Sequence, residues 1–299
     1  LRKTNAIREP LGDRILTFFI YFVLTVFLII IIYPLLNIVA SSFSDPNAVI
    51  KGEVTIFPID PTLLAYKTVF NNSQVLIGFG NTLFYTIVGT IIQLTLTVLI
   101  AFPLSRKEFV GRKLIMVLIV FTMFFEGGLI PTYMIVKDLG LVDTRWALII
   151  PKALGVWQVI IAVTFFKTSI PNELYESAQL DGCSDIGFIW RIVLPLAKPI
   201  IAVLVLMYAV GNWNSYFDAL IYLNSQELYP LQLVLRNILV LNQMNTLSPQ
   251  VAYKLAHLQG LADLLKYALI VISSLPILLF YPFVQKHFVK GMMIGSIKE

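Results

Sequence analysis

The residues able to do chemistry are few and scattered. One cysteine, Cys183, has no partner for an internal disulfide, and the two histidines, His257 and His287, cannot complete a Cys/His zinc site with it. No Gly-Lys dipeptide occurs, so the chain has no Walker A loop to cradle a nucleotide's phosphates. An intramembrane enzyme would need a His-Glu-x-x-His helix or a clustered nucleophile and base, and neither is present. Two other patterns remain. Glu126, Lys152 and Asp218 interrupt long apolar runs, where an ionisable group is expensive and marks a functional position by default. A stretch with Glu173, Glu176, Asp181 and Asp185 around Gly182 has the spacing of two short helices joined by a tight turn. Its chemistry is that of contact, not of catalysis.

The elements that must position these residues follow from composition. Of 299 residues, 58% are hydrophobic and only 13% charged, and the mean hydropathy is +0.83. A soluble domain carries about a quarter charged residues, so the pattern excludes a soluble globule, a disordered tail and a disulfide scaffold. An all-α integral membrane protein is expected. Crossing a hydrocarbon core takes roughly 20 apolar residues, and six runs meet that length: residues 15–39, 77–104, 114–136, 146–166, 199–223 and 264–284. The first reads as a retained anchor rather than a cleaved signal. No internal repeat of useful length is visible, which counts against inverted-repeat secondary transporters.

The net charge of +5 is written around the spans rather than along a stripe, so it argues for topology and against nucleic acid. Arg2, Lys3, Arg8 and Arg14 precede the first span; Arg106, Lys107, Arg112 and Lys113 link the second and third; Lys286, Lys290 and Lys298 follow the sixth. The positive-inside rule then places both termini in the cytoplasm. Residues 167–198 form a cytoplasmic loop, and 40–76 and 224–263 form two long outer loops. The second outer loop carries Leu228, Leu231, Leu233, Leu235 and Leu239 around Pro230, the pattern of a short helix on or in the outer surface.

At 1.5 Å per residue, Glu126 lies about 18 Å above the inner start of its span and Lys152 about 9 Å below the outer start of its own. In a core about 30 Å thick their depths differ by only about 3 Å. They are expected to pair or to share a polar layer; the plainer readings are snorkelling for Lys152 and capping of the backbone at Gly127-Gly128 for Glu126. The same ruler puts Trp213 and Asn214 about 21 Å above Pro199, with Asn212 beside them and Tyr216 and Asp218 above. An indole face stacks on a sugar ring while amides meet its hydroxyls. Trp157 joins this set, and an interfacial aromatic belt is the bland alternative for Tyr216 and Tyr222.

In the cytoplasmic loop, Pro171 suits a first helical turn, Glu173 and Glu176 favour the positive end of that helix, and Gly182 can end it. Ser184 can cap a second helix that is expected to stop near Pro195. Leu174 with Ala178, and Ile186 with Ile189 and Trp190, give each helix an apolar side. The run Glu176-Ser177-Ala178, three residues, Gly182, nine residues, Ile192, one residue, Leu194-Pro195 resembles the EAA loop of bacterial ABC importer permeases, with Ser177 in place of alanine. Gly127-Gly128-Leu129-Ile130-Pro131-Thr132-Tyr133, Trp213-Asn214, Tyr281-Pro282-Phe283-Val284-Gln285-Lys286 and Gly291-Met292-Met293-Ile294-Gly295 extend the likeness over nearly the whole chain. Together they resemble carbohydrate-uptake permeases of the YtcP and LplC type, which are associated with aldouronate or other complex oligosaccharides.

That resemblance implies a type I importer permease in which Glu173, Glu176, Ser177, Ala178, Asp181, Gly182, Ile192, Leu194 and Pro195 form the coupling loop. Glu176 would make the charged contact, Ala178 the close-packed one and Gly182 the turn. It also implies partners: a homologous second permease, two ATP-binding subunits that hold ATP and Mg, and an extracellular solute-binding protein, with no cofactor on this chain. The solute path would use Glu126, Lys152, Trp157, Asn212, Trp213, Asn214, Tyr216 and Asp218, and the protein would sit in the bacterial cytoplasmic membrane. The rival readings are an ABC permease for a non-sugar solute, a stand-alone secondary transporter or channel, and, last, an intramembrane enzyme.

Overall fold

The computed structural model describes residues 10–244, 264–279 and 282. The basic residues before Pro10, both histidines, and the C-terminal motif apart from Pro282 lie outside the described residues. The described residues form helices and turns, in two compact units made of residues 1–71 with 242–272 and of 72–241 with 273–299.

In the first unit, α1 (Leu11–Ser42) is apolar around its whole circumference and buries only Ala40, Ser41 and Ser42. A helix of 32 residues is about 48 Å long, more than a bilayer core needs. Its end is fastened by side chains: Asn37 Nδ2 donates to the carbonyls of Val54 and Thr55 at 2.9 and 3.0 Å, and Ser44 Oγ donates to Ala40 O. Two short helices follow, α2 (Pro46–Ile50), capped by Asp45, and α3 (Leu64–Phe70).

The second unit is built on α4 (Ser73–Ser105), whose first turn is capped by Asn72 Oδ1 accepting from the amides of Gln74 and Val75. Its buried residues Gly78, Thr82, Tyr85, Gly89, Gln93, Thr97 and Ala101 recur every three or four positions, a stripe of small and polar side chains along one face. Such a stripe lets another backbone approach closely and offers it hydrogen bonds. After α5 (Arg112–Phe124) the chain breaks at 125–128, where Gly128 takes φ of 84°, and resumes as α6 (Leu129–Asp138) bent by 116°. Two adjacent glycines explain the break, since each costs about 1 kcal/mol in a helix interior.

The fourth apolar run departs most from expectation. Residues 145–148 form one 3-10 turn, 149–155 are irregular around Pro151 and Gly155, and α7 covers only Val156–Ser169. Lys152 therefore does not sit on a helix. Next come α8 (Asn172–Leu180), α9 (Asp185–Phe188), a π-helical turn at Ile189–Val193 and α10 (Leu194–Leu196). An 87° bend leads into α11 (Lys198–Trp213), followed by α12 (Phe217–Tyr222), α13 (Leu231–Met244) and α14 (Leu264–Leu279). By length and composition two described helices can each cross a membrane, α1 and α4, or up to four spans if each bent pair counts as one.

Close packing of α11 on α4 rests on Gly89, where a Cβ would meet Asn212 Nδ2 at 2.9 Å. That amide is held by Thr90 Oγ1 and Gln93 Oε1, so it cannot swing aside freely. Gly89→Ala is expected to lower stability by about 1–3 kcal/mol, read as a lower thermal midpoint of the detergent-solubilised protein. An unchanged midpoint would mean that Asn212 yields.

Candidate functional site

The helix-turn-helix of residues 171–196 forms from local signals. Pro171 precedes α8 in an extended conformation, and Glu173 lies in the first turn, where a negative charge meets the unpaired amides. Gly182 has φ of 77°, its amide bonds Gln179 O at 3.0 Å, and the Cys183 amide bonds Ala178 O at 2.9 Å. These two bonds make a complete Schellman ending. Ser184 Oγ then accepts from the Gly187 amide at 3.2 Å, as an N-cap should. Ser177, the departure from the motif's alanine, spends its hydroxyl on Glu173 O at 2.7 Å within its own helix.

The second helix stops near Pro195, as expected, with Leu196 its last residue. Pro195 has no amide hydrogen for the carbonyl four residues earlier, and the preceding turn is widened to a π-helix, which accommodates the ring. The chain turns at Ala197, and Pro199 occupies the first turn of α11.

Only part of this surface is free. Ala178 is buried and Leu174 half-buried in a cluster with Phe102, Phe166 and Phe188, so the apolar side of α8 packs on its own chain rather than on a partner. The Phe102, Tyr175 and Phe188 rings stand 5.1 to 6.2 Å apart, and Tyr175 donates to Asp185 Oδ1 at 2.7 Å, joining the two helices. Ile192 and Leu194 are also half-buried against this cluster. Glu173, Glu176, Ser177, Asp181 and Gly182 are exposed, and Leu180 is 90% exposed. An apolar side chain ringed by carboxylates and left open is suited to a protein contact.

The residues read as a solute path fall into separate places. Lys152 Nζ forms an ion pair with Asp218, which also accepts from Ser215 Oγ at 3.1 Å. Lys152 thus pairs with Asp218 and not with Glu126, because the irregular segment removes it from the helical register that the depth estimate assumed. Glu126 is exposed in the break between α5 and α6. Asn212 Nδ2 bonds Gln93 Oε1 at 2.8 Å, and Gln93 Nε2 donates to the Lys152 carbonyl at 2.9 Å. A polar chain from α11 through α4 therefore reaches the Lys152 segment.

Trp213 is placed differently. It is 3% exposed, its indole N–H donates to Ser273 O at 2.8 Å, and its ring meets Phe79 edge-on at 5.8 Å. One edge lines a cavity of about 350 Å³ with Ile87, Ile91, Val205 and Ile277, an apolar setting. Asn214 caps the end of α11 through Val210 O, while Tyr216 and Trp157 are exposed. Three participants escaped the sequence reading: Gln93, Thr97, whose hydroxyl is 2.6 Å from Tyr208 Oη, and Tyr208, which accepts from the Gly155 amide at 3.4 Å. The four-residue recurrence of Tyr85, Gly89, Gln93 and Thr97 was the available signal.

At the Asn72 end of α4, residues 224–231 are fastened residue by residue. Asn81 Nδ2 donates to the Glu227 and Tyr229 carbonyls, Tyr85 Oη to Leu228 O, and Thr82 Oγ1 accepts from the Leu231 amide. Asp143, at φ of 59°, accepts from Ser225 Oγ and from the Ser225 and Asn224 amides. Those bonds, the Ser225 hydroxyl's first, hold its carboxyl below the ordinary value.

No family model matches the chain. It is 47% identical over 270 residues to Protein LplC of Bacillus subtilis (strain 168), covering 90% of each chain. It is 38% identical over 294 residues to the polygalacturonan/rhamnogalacturonan transport system permease protein YtcP of the same strain, covering 96% of this chain and 99% of that one. A crystal structure of a bacterial ABC transporter involved in import of the acidic polysaccharide alginate has a chain that aligns with a TM-score of 0.86 at 32% identity, over 95% of this chain and 100% of that one.

The Asp143 staple gives a pH expectation. A carboxyl whose folded pKa is depressed contributes stability that is present above its unfolded value, near 3.9, and lost as pH falls through the folded value. Amide exchange at Asn224 and Ser225, corrected for intrinsic rates, should rise below about pH 4 and should already be raised at neutral pH in Asp143→Ala. Equal protection in wild type and variant would remove the staple.

Proposed function

The chain belongs to the permease subunits of ABC importers, and from that premise we propose that it carries an oligosaccharide, uronate-containing or otherwise complex, across the cytoplasmic membrane. It is a transport subunit and not an enzyme. Support for an acidic cargo comes from relatives named for polygalacturonan, rhamnogalacturonan and alginate. The observation that carries the mechanism is the exposed face of α8, where Leu180 stands among Glu173, Glu176 and Asp181 beside a Schellman turn. We assign this face to an ATP-hydrolysing partner: the acidic groups meet basic ones and Leu180 enters an apolar pocket.

Two such partners would hold ATP and Mg, a homologous permease would complete the path, and an extracellular binding protein would deliver the sugar. Both termini would then face the cytoplasm, by the basic residues around the spans. For the path itself, Lys152, Asp218 and Asn212 form the centre, with Tyr216 and Asn214 next to them in sequence. Glu126 and Trp157, both exposed, are outlying members. Trp213 supports the path by holding α11 to Ser273 rather than by lending its N–H to a sugar.

Reconstitution with a second permease, an ATPase and a binding protein of the same importer tests the reading. Acidic oligosaccharides should stimulate ATP hydrolysis and enter the vesicles; an assembled complex stimulated by no sugar would point to another solute. Leu180→Asp should leave the permease folded, since the side chain is almost fully exposed, yet reduce co-purification of the ATPase by about tenfold or more, the loss expected of a central apolar anchor. Unaltered co-purification would move the contact off α8.

A further inference from the structure

Arg106 stands in the basic link between two apolar runs, where its expected role is to mark the cytoplasmic side. The structure instead buries it, at 4% exposure, directly after the last residue of α4. Burying a guanidinium is costly unless it is well partnered, so the partners matter. Nη1 donates at 3.3 Å both to the Ile170 carbonyl and to Asn172 Oδ1. The guanidinium carbon lies 5.0 Å from the Phe102 ring centre and 5.9 Å from that of Tyr175, one ring on α4 and the other on α8. Asn172 Nδ2 reaches Glu108 at 3.5 Å, and Arg112 donates to the Arg106 carbonyl at 3.1 Å.

These contacts converge on one joint. Ile170 follows the last residue of α7, Pro171 is extended, and Asn172 begins α8, so the chain between α7 and the coupling helix is a two-residue hinge. Arg106 grips both sides of it. Among the described residues Nε and Nη2 are buried with no hydrogen-bond partner, and burial pulls the guanidinium below its ordinary pKa. A group that only marked topology would stay in water with all its donors hydrated.

We propose that Arg106 is a positioning residue that clamps the Ile170–Pro171 hinge to the end of α4, so that displacement of α8 moves α4 instead of being absorbed by bending at the hinge. This rests on the assignment of α8 to the ATPase. Since α4 also holds α11 through Gln93 and Asn212, and Gln93 holds the Lys152 carbonyl, the rigid helix α4 connects the clamp to the Lys152 segment. Asn172 is the second half of the clamp, and Lys in place of Arg106 would keep the charge and a donor for the Ile170 carbonyl and Asn172 Oδ1, but lose the planar group that lies against the Phe102 and Tyr175 rings.

The test is sugar taken up per ATP hydrolysed in the reconstituted full complex. Arg106→Gln should let hydrolysis continue while uptake per ATP falls by about tenfold or more, the scale of one charged hydrogen-bond set. Arg106→Lys should fall between Gln and wild type, and Asn172→Ala should lower the same ratio. In a double-mutant cycle the two losses should not add. A merely structural role would lower the amount of assembled complex and leave the ratio unchanged, which would overturn the proposal. If Arg106→Gln does not assemble, Asn172→Ala decides alone: a normal ratio there rejects the clamp. Failure of the wild-type complex to couple sugar to ATP hydrolysis would reject the underlying assignment instead, and Leu180→Asp separates loss of docking from loss of coupling.

Discussion

Every backbone amide and carbonyl held in an apolar layer must find a partner, and this chain leaves α-helical geometry at residues 149–155 and 223–230. The side chains of α4 meet that demand. Gln93 takes up the carbonyl of Lys152, Thr97 holds the Tyr208 hydroxyl that reaches the Gly155 amide, and Asn81, Thr82 and Tyr85 satisfy residues 227–231. Without that polar stripe the irregular segment before α7 would leave orphan groups, each costing about 1–3 kcal/mol. With it, a stretch of chain can run at non-helical geometry and present Lys152 sideways. The irregular segment before α7 and the polar face of α4 are therefore one feature seen from two sides.

The same helix ends at the helix-turn-helix of residues 171–196. Its last residues place Phe102 among Tyr175 and Phe188 and set Arg106 under the hinge. The turn itself is stiff: a Schellman ending, a serine cap and the bond from Tyr175 to Asp185 leave it few soft torsions. A stiff element on a short hinge transmits a push only if the hinge cannot fold, which is why a buried arginine at that spot has a mechanical meaning as well as an electrostatic one. Ala178 fits this picture as an internal packing residue, small enough to let α8 lie close on its own core.

How far the sequence discloses this depends on the range of the forces involved. The turn of residues 171–196 was legible because proline, glycine and serine act on their own neighbours: Gly182 and Ser184 occupy the roles that their chemistry predicts. The extent of α1 and α4 was legible because an unbroken apolar run has few alternatives. The break at Gly127-Gly128 could be located but not its angle. A uniform rise per residue failed at Lys152, since Pro151 and Gly155 take that segment out of the helix, and a depth computed along a continuous rod no longer applies. The partnership with Asp218 and the commitment of Trp213 to Ser273 are contacts between distant segments, invisible to local pattern. Arg106 shows the same limit in reverse, since its position in a basic link gives no hint that it is buried.

The ion pair of Lys152 with Asp218 fits the proposed solute path. Lys152 is about half exposed and Asp218 only 20%, so solvent weakens the pair from the lysine side, and two charges placed between apolar segments, where charge is expensive, mark a functional position by default. Both members are held by groups that do not depend on the pair itself: the Lys152 backbone by Gln93, and Asp218 by Ser215. If a solute's carboxylate took the ammonium, the aspartate would keep a donor and the backbone would not move. Hydroxyl groups could likewise take the place of Ser215 or approach Asn212, which lies next along the same polar chain. The arrangement separates the positioning of the charges from their pairing, and a path that binds and then releases a polar solute needs that separation.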